Sequence, residues 1–198
     1  MYRKLLTKEF FKDNPYKKIS AQRLVYSTLL YRGLENAADD VVLHTLSDER
    51  RENIAREKEI ILAEKDPEII FRLLRKNIEA VNRTVLINKA LEFEAEILPM
   101  VAKKLVRNNH DTFIENAVRL LTWSKDDYTA SLRERYSEFL SPYVQSVFCI
   151  VLGFRGSEDV IPWMMERFYE MKRRYPNENY DQGPLCALYE LNARFYLS

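Results

Sequence analysis

Glycine and proline are scarce in this chain, four and seven among 198 residues. The many tight turns of a β-sandwich or barrel draw on those residues, so their scarcity argues against an all-β chain and for helices. Cysteine is nearly absent. Cys149 and Cys186 both lie in apolar stretches, which suits a reducing compartment better than a disulfide framework, so a cytoplasmic location is expected. Neither sign of charge is in excess: 31 Lys and Arg face 30 Asp and Glu, a formal charge of +1 that argues against a dedicated polyanion binder while leaving room for a local patch.

Long hydrophobic runs are missing as well. The stretch Val147 to Gly153 falls far short of the ~20 residues that span a bilayer, so no membrane partner is expected. Met1 to Ser20 mixes Arg3, Lys4, Lys8 and Glu9 with apolar residues and has no uninterrupted apolar core, so no secretory signal is expected. The chain has no Gly-rich phosphate loop, no Cys pairs at zinc spacing and no serine elbow. No catalytic residue, metal ligand or cofactor is therefore assigned, and a noncatalytic reading is preferred.

What is present is helical patterning. Hydrophobic residues at 46% and charged residues at 31% give a globular balance, and a chain of this size hides roughly 70% of its unfolded surface. Apolar residues recur at helical spacing: Ile97, Val101 and Leu105; Ile114, Ala117, Val118 and Leu121; Leu132, Tyr136 and Phe139; Val144, Val147, Phe148 and Val151. Asp66-Pro67 and Ser141-Pro142 each offer a cap and a proline suited to a first helical turn. Gly33 and Gly153 sit where helices should end, and Ser157 can open the next. Ser47 to Lys65 is mostly charged, with Ile54, Ile61 and Leu62 as a thin apolar seam, and reads as a largely solvated helix.

The most informative feature is an internal echo. Glu96-Ile97-Leu98-Pro99-Met100-Val101 is repeated by Asp159-Val160-Ile161-Pro162-Trp163-Met164, 63 residues later, and Phe113 to Val118 by Tyr143 to Phe148, 30 residues later. Helix pairs recurring at about 30 residues are the signature of a stacked solenoid, in which each hairpin buries its apolar face against the next. Pro99 and Pro162 are each expected near a first turn, where a missing amide costs little. Leu152-Gly153-Phe154-Arg155-Gly156-Ser157-Glu158-Asp159-Val160-Ile161-Pro162-Trp163-Met164 resembles the HEAT-like repeat family, whose units often read Leu-Gly, a short turn, then an apolar-Pro pair. That resemblance implies an all-α superhelix, a short α-solenoid of stacked antiparallel pairs. Residues 1–198 then form one domain, 66–198 carrying the repeats and 1–65 a helical cap or degenerate units. Members of the family are mostly binding scaffolds, and some resemble DNA glycosylases for alkylated bases.

Candidate sites follow from that register. Glu115, Asn116 and Arg119 in one second helix, with Gln145, Ser146 and Cys149 in the next, would line the inner surface and meet a protein partner, a second copy of the chain being one candidate. Lys76, Lys104, Arg135 and Arg167 fall at equivalent places of successive first helices and form a ladder that could follow phosphates, although Lys103, Glu134 and Glu166 beside it make a solvated face the plainer reading. Trp123-Ser124-Lys125-Asp126-Asp127-Tyr128 reads as an inter-helix turn. Under the glycosylase resemblance, Trp123 would hold a base while Asp126 or Asp127 stabilises positive charge. Asp40 and His44, four apart, lack further ligands nearby. Asp111 is a natural cap for the helix holding Phe113. Tyr175, Tyr180 and Tyr189 are freer for an interface, since a terminal unit has one uncovered face. The reading preferred is a protein-interaction scaffold, with a nucleic-acid binder or enzyme as the alternative.

Overall fold

The computed structural model describes residues 2–31 and 43–197; Gly33 and Asp40 lie outside the described residues. Among the described residues the fold is all-α, with no strand. Its helices are α1 (Lys8–Asp13), α2 (Ala21–Leu30), α3 (Asp48–Ala63), α4 (Pro67–Leu73), α5 (Arg83–Glu92), α6 (Glu94–Leu105), α7 (Asp111–Trp123), α8 (Thr129–Glu134), α9 (Pro142–Arg155), α10 (Val160–Arg174) and α11 (Gln182–Tyr196). Two begin at the expected caps. Asp66 accepts the amide of Glu68 and Ser141 that of Val144, and at the start of α3 Ser47 accepts that of Arg50, satisfying N–H groups that have no partner inside the helix. At α7 the cap is His110, whose Nδ1 accepts the Phe113 amide at 3.4 Å; Asp111, expected in that role, is the first helical residue.

The chain divides into two compact units, Thr28–Tyr128 and a second unit assembled from Met1–Ser27 and Thr129–Ser198. In the first, α4 packs on its neighbour α5 and α6 on α7, while alternate helices also stack, α4 against α6 and α5 against α7. Side-chain amides tie these layers together: Asn82 donates to the Ile54 carbonyl at 2.9 Å, and Asn116 to the Leu74 carbonyl at 3.0 Å. α3 buries only Ile54 and Ile61, seven apart on one face, and leaves Leu62 half exposed.

In the second unit α9 lies against α11 at close range. Ser146 faces Gly183 near the start of both helices, Gly153 faces Ala187 further along, and Arg194 reaches the Gly153 and Gly156 carbonyls near both ends, so the two helices run parallel. A Cβ on Gly153 would stand 2.8 Å from the Ala187 Cα. This glycine, read from sequence as a helix stop, is instead interior to α9, where the neighbouring backbone leaves no room for a side chain. The helix continues to Arg155.

Residues 2–27 pack onto this C-terminal assembly. Phe10 meets Phe168 edge-on at 5.7 Å, Tyr16 stacks on Tyr189 at 4.0 Å, and Tyr26 tilts against Phe154 at 5.7 Å. The Tyr189 hydroxyl donates to the Phe11 carbonyl at 3.2 Å. Tyr189 is therefore covered by the N-terminal segment, which corrects the expectation that it faces open solvent at a terminal unit.

The sequence echo has a structural counterpart within each unit. Ile97, Leu98, Val101 and Leu105 on α6, and the residues 63 positions later, Val160, Ile161, Met164 and Phe168 on α10, are all at most 3% exposed. Each such side chain contributes roughly 1.5–3 kcal/mol on leaving water, an upper figure. The two prolines differ, however. Pro162 occupies the first turn of α10, whereas α6 starts earlier relative to the echo and places Pro99 one turn inside, exposed. There its ring removes a bond to the Ala95 carbonyl, a local weakness that the first-turn expectation did not include.

Candidate functional site

The row expected to line a partner surface lies largely inside the fold. Asn116 is 1% exposed, Ser146 0% and Arg119 6%. Asn116 holds the end of α4 through the Leu74 carbonyl. Ser146 occupies the matching place 30 residues on: its hydroxyl donates to the Tyr180 carbonyl at 2.6 Å and accepts the Gly183 amide at 3.2 Å, joining α9 to the turn that opens α11. Gln145 donates to the Phe139 carbonyl at 3.2 Å. Glu115 is half-buried, 3.8 Å from Arg119. Asn116, Ser146 and Gln145 thus satisfy backbone groups that packing has cut off from water, as buried polar groups generally must.

The four ladder cations divide between the units. Lys104 sits on α6, but Lys76 falls in the turn after α4, and both are exposed. Arg135 lies just past the short α8, and Glu138 holds it in a fork at 2.8–3.2 Å. Arg167 is clamped between Glu166 at 3.5 Å and Glu170 at 2.7 Å, with its guanidinium over the rings of Trp163 and Tyr136. Two of the four charges are therefore neutralised by carboxylates on the spot. The Trp123 to Tyr128 segment is a tight turn. The Ser124 hydroxyl donates to the Asp126 carbonyl at 2.8 Å, and the Lys125 amide donates to Glu94 at 3.1 Å; Asp126 and Asp127 face solvent and Trp123 is half-buried.

Neither thiol is poised for chemistry. Burial pushes Cys149 up to about 12, and the same cause takes Cys186 to about 12, so both stay protonated at neutral pH, where a nucleophile needs the thiolate. Cys149 donates to the Gln145 carbonyl at 3.3 Å and lies 4.0 Å from the Tyr136 hydroxyl. His44 is exposed; Asp40, its suggested companion, lies outside the described residues. Among the described residues, no three His, Cys, Asp or Glu side chains converge as a metal site would require.

The concave feature that sequence reading missed lies within the second unit, where residues 13–17 cross the turn between α10 and α11. The cleft holds about 350 Å³. Buried Phe168, Leu185 and Gln182 form its floor, half-buried Tyr16 and Tyr175 stand in its walls, and exposed Lys17 and Lys172 lie on its rim. The Lys17 amide donates to the Gln182 side chain at 2.9 Å, and the Lys172 ammonium to the Asn14 side chain at 3.0 Å, so both rims are tied across the gap. Beneath it the Tyr26 hydroxyl donates to Glu190 at 3.0 Å in a buried pair. Burial, with Glu190 adding to it, raises the Tyr26 phenol well above its ordinary value; burial and neighbouring Tyr26 do the same to Tyr16. The one sequence signal was the aromatic set Phe10, Phe11, Tyr16 and Tyr26 in an otherwise charged segment, since rings in such company need a surface to cover.

No family model matches the chain, and neither do any curated protein or any solved structure.

Proposed function

We propose that the chain is a noncatalytic interaction scaffold built as a short HEAT-like solenoid and that its partner is another protein. The solenoid reading is supported by the alternate-helix stacking of α4 on α6, α5 on α7 and α9 on α11, which is how successive hairpins lean on one another in such folds. The observation that carries the binding role is the exposed apolar surface of α3 and α4. Ile60 is 61% exposed, Leu62 50% and Ile69 40%. Ile60 and Leu62 flank buried Ile61 on α3 and Ile69 lies on α4; large apolar side chains left in water favour a partner that covers them. The buried, protonated thiols and the interior use of Asn116 and Ser146 favour a binding role over chemistry, and the same free thiols suit a reducing, cytoplasmic setting.

Capture from native extract tests this with the wild-type chain beside Ile60→Glu with Leu62→Glu, both changes at exposed positions. The scaffold reading expects defined proteins, or a second copy of the chain, to be retained by wild type and lost with the variant at unchanged melting temperature. Identical captured sets from the two chains would overturn it.

A further inference from the structure

We infer that the second unit rests on an anionic lipid surface through the start of α2, with Ile19 and Leu24 entering the bilayer interface and Lys17, Lys18 and Arg23 among the headgroups. This is independent of the protein-partner reading, which concerns α3 and α4. A surface helix normally turns charge outward, yet Arg23 is the one charged residue between Ala21 and Leu30. Gln22, Val25, Tyr26 and Leu29 form the buried side of α2, at most 7% exposed. On the opposite side Ser20, Leu24 and Ser27 follow one another at helical spacing, and Leu24 is 69% exposed. Ile19, in the bend just before the helix, is 92% exposed, the largest value for any large apolar side chain among the described residues. Ile19 and Leu24 line one groove with Lys18, Ser20, Arg23 and Ser27, and no carboxylate lines it. In sequence too, residues 14–31 hold three cations and no Asp or Glu. Asp13, Glu178 and Asp181 line the separate cleft that Lys17 borders.

The directional groups of this patch are already used inside the chain. The Ser20 hydroxyl accepts the Arg23 amide at 3.1 Å as the cap of α2, the Lys17 ammonium donates to the Asn179 side chain, and the Arg23 guanidinium lies over the Tyr16 ring at 4.4 Å. Neither Asn179 nor the Tyr16 ring is an anion, so Lys17 and Arg23 keep their charge. Lys18 is exposed and pairs with no carboxylate among the described residues. What the patch offers is therefore two protruding aliphatic side chains beside cations. A protein partner is recognised by directional bonds and fitted pockets, whereas a bilayer interface asks only for apolar side chains that reach in and cations that stay with anionic headgroups. A second copy of the chain, meeting this patch with its own, would set Lys18 and Arg23 against like charges. Among the described residues no helix is long and apolar enough to cross a membrane, which bears on crossing a bilayer and not on resting at its surface.

Cosedimentation of the full chain with vesicles of phosphatidylcholine, alone or with about one-third phosphatidylserine, tests the inference. Retention on the anionic vesicles is expected, about tenfold or more above that on phosphatidylcholine alone and falling as added salt shortens the reach of exposed charges. Ile19→Glu with Leu24→Glu should abolish retention at unchanged melting temperature, both positions being exposed. Lys18→Gln should weaken it about fivefold, the share of one lysine beside an anionic leaflet. Ile60→Glu with Leu62→Glu should leave retention unchanged, which separates this surface from the one proposed for a protein partner. Ile19→Cys carrying an environment-sensitive dye should shift to the blue on the anionic vesicles, and the buried native thiols stay out of the dye's reach. No retention on anionic vesicles, equal retention on phosphatidylcholine, indifference to the Ile19 and Leu24 changes, an unshifted dye, equal or tighter binding of polyglutamate, or a dimer that those changes dissolve would each overturn it.

Discussion

Replacing Gly183 by alanine presses on the close contact between α9 and α11. A Cβ there would stand 2.0 Å from the Ser146 carbonyl oxygen and 2.4 Å from its carbonyl carbon. Ordinary contact between such atoms is about 3.5 Å, so α9 and α11 must separate by more than an ångström before the methyl fits. Both obstructing atoms are backbone inside a helix, and no rotamer change relieves them. Overpacking of this kind costs about 1–3 kcal/mol, and the unyielding neighbours place Gly183→Ala at the upper end. Against that stands a gain of about 0.4–1 kcal/mol from a stiffer unfolded chain. A net loss near 2 kcal/mol remains, which for a chain of this size lowers the melting temperature by about 4–8 °C. Thermal and urea unfolding followed by circular dichroism measure it. Gly153→Ala, whose Cβ would be 2.8 Å from the Ala187 Cα and 3.1 Å from its Cβ, should cost less, and Ala187→Gly should partly rescue it, whereas no side-chain change at Ser146 rescues Gly183→Ala. A Gly183→Ala protein as stable as wild type would refute the close parallel packing of α9 and α11.

Ser146→Ala and Asn116→Ala each leave a buried backbone group without its partner, the Gly183 amide and Tyr180 carbonyl in one case and the Leu74 carbonyl in the other; each should lose about 1–3 kcal/mol in urea unfolding, and a loss below about 0.5 kcal/mol would contradict the interior role given to these residues. Alkaline pH should destabilise the chain. Cys149 and Cys186 hold their protons in the folded state up to about pH 12 but release them near pH 8.5–9 when unfolded, so stability is full below that range and falls above it by about 1.4 kcal/mol per pH unit for each thiol, with the buried tyrosines adding to the loss above about pH 10. Melting temperature should be level from pH 7 to 8 and drop steeply above pH 9, and a level profile to pH 10.5 would count against it.

What was legible in the sequence was local. The helix starts at Asp66 and Ser141 depend on a side chain and an amide two or three residues away, and the stripes on α6, α7 and α9 follow from spacing alone. Contacts between distant residues were not legible. Gly153 looked like a helix stop because the sequence contains no sign of Ala187 lying against it. Asn116 and Ser146 occupy the polar side of their helices, which solvent normally claims, and only the approach of Leu74 and of the Tyr180 to Gly183 turn makes them interior. His110 was passed over as a cap because imidazole seldom plays that part. The cleft was invisible for the same reason as the Tyr26–Glu190 pair: residues more than 160 positions apart meet there with no periodic signal to announce it.

Much rests on residues 2–27 being an integral layer of the unit formed with residues 129–197, since the cleft exists only if that layer is in place. Amide hydrogen exchange of the full chain at neutral pH tests it directly. Val25 and Tyr26 should open with the same free energy as Ile150 on α9 and Leu188 on α11, as parts of one cooperative unit do. Exchange at Val25 and Tyr26 that runs orders of magnitude ahead of Ile150 and Leu188 would contradict it.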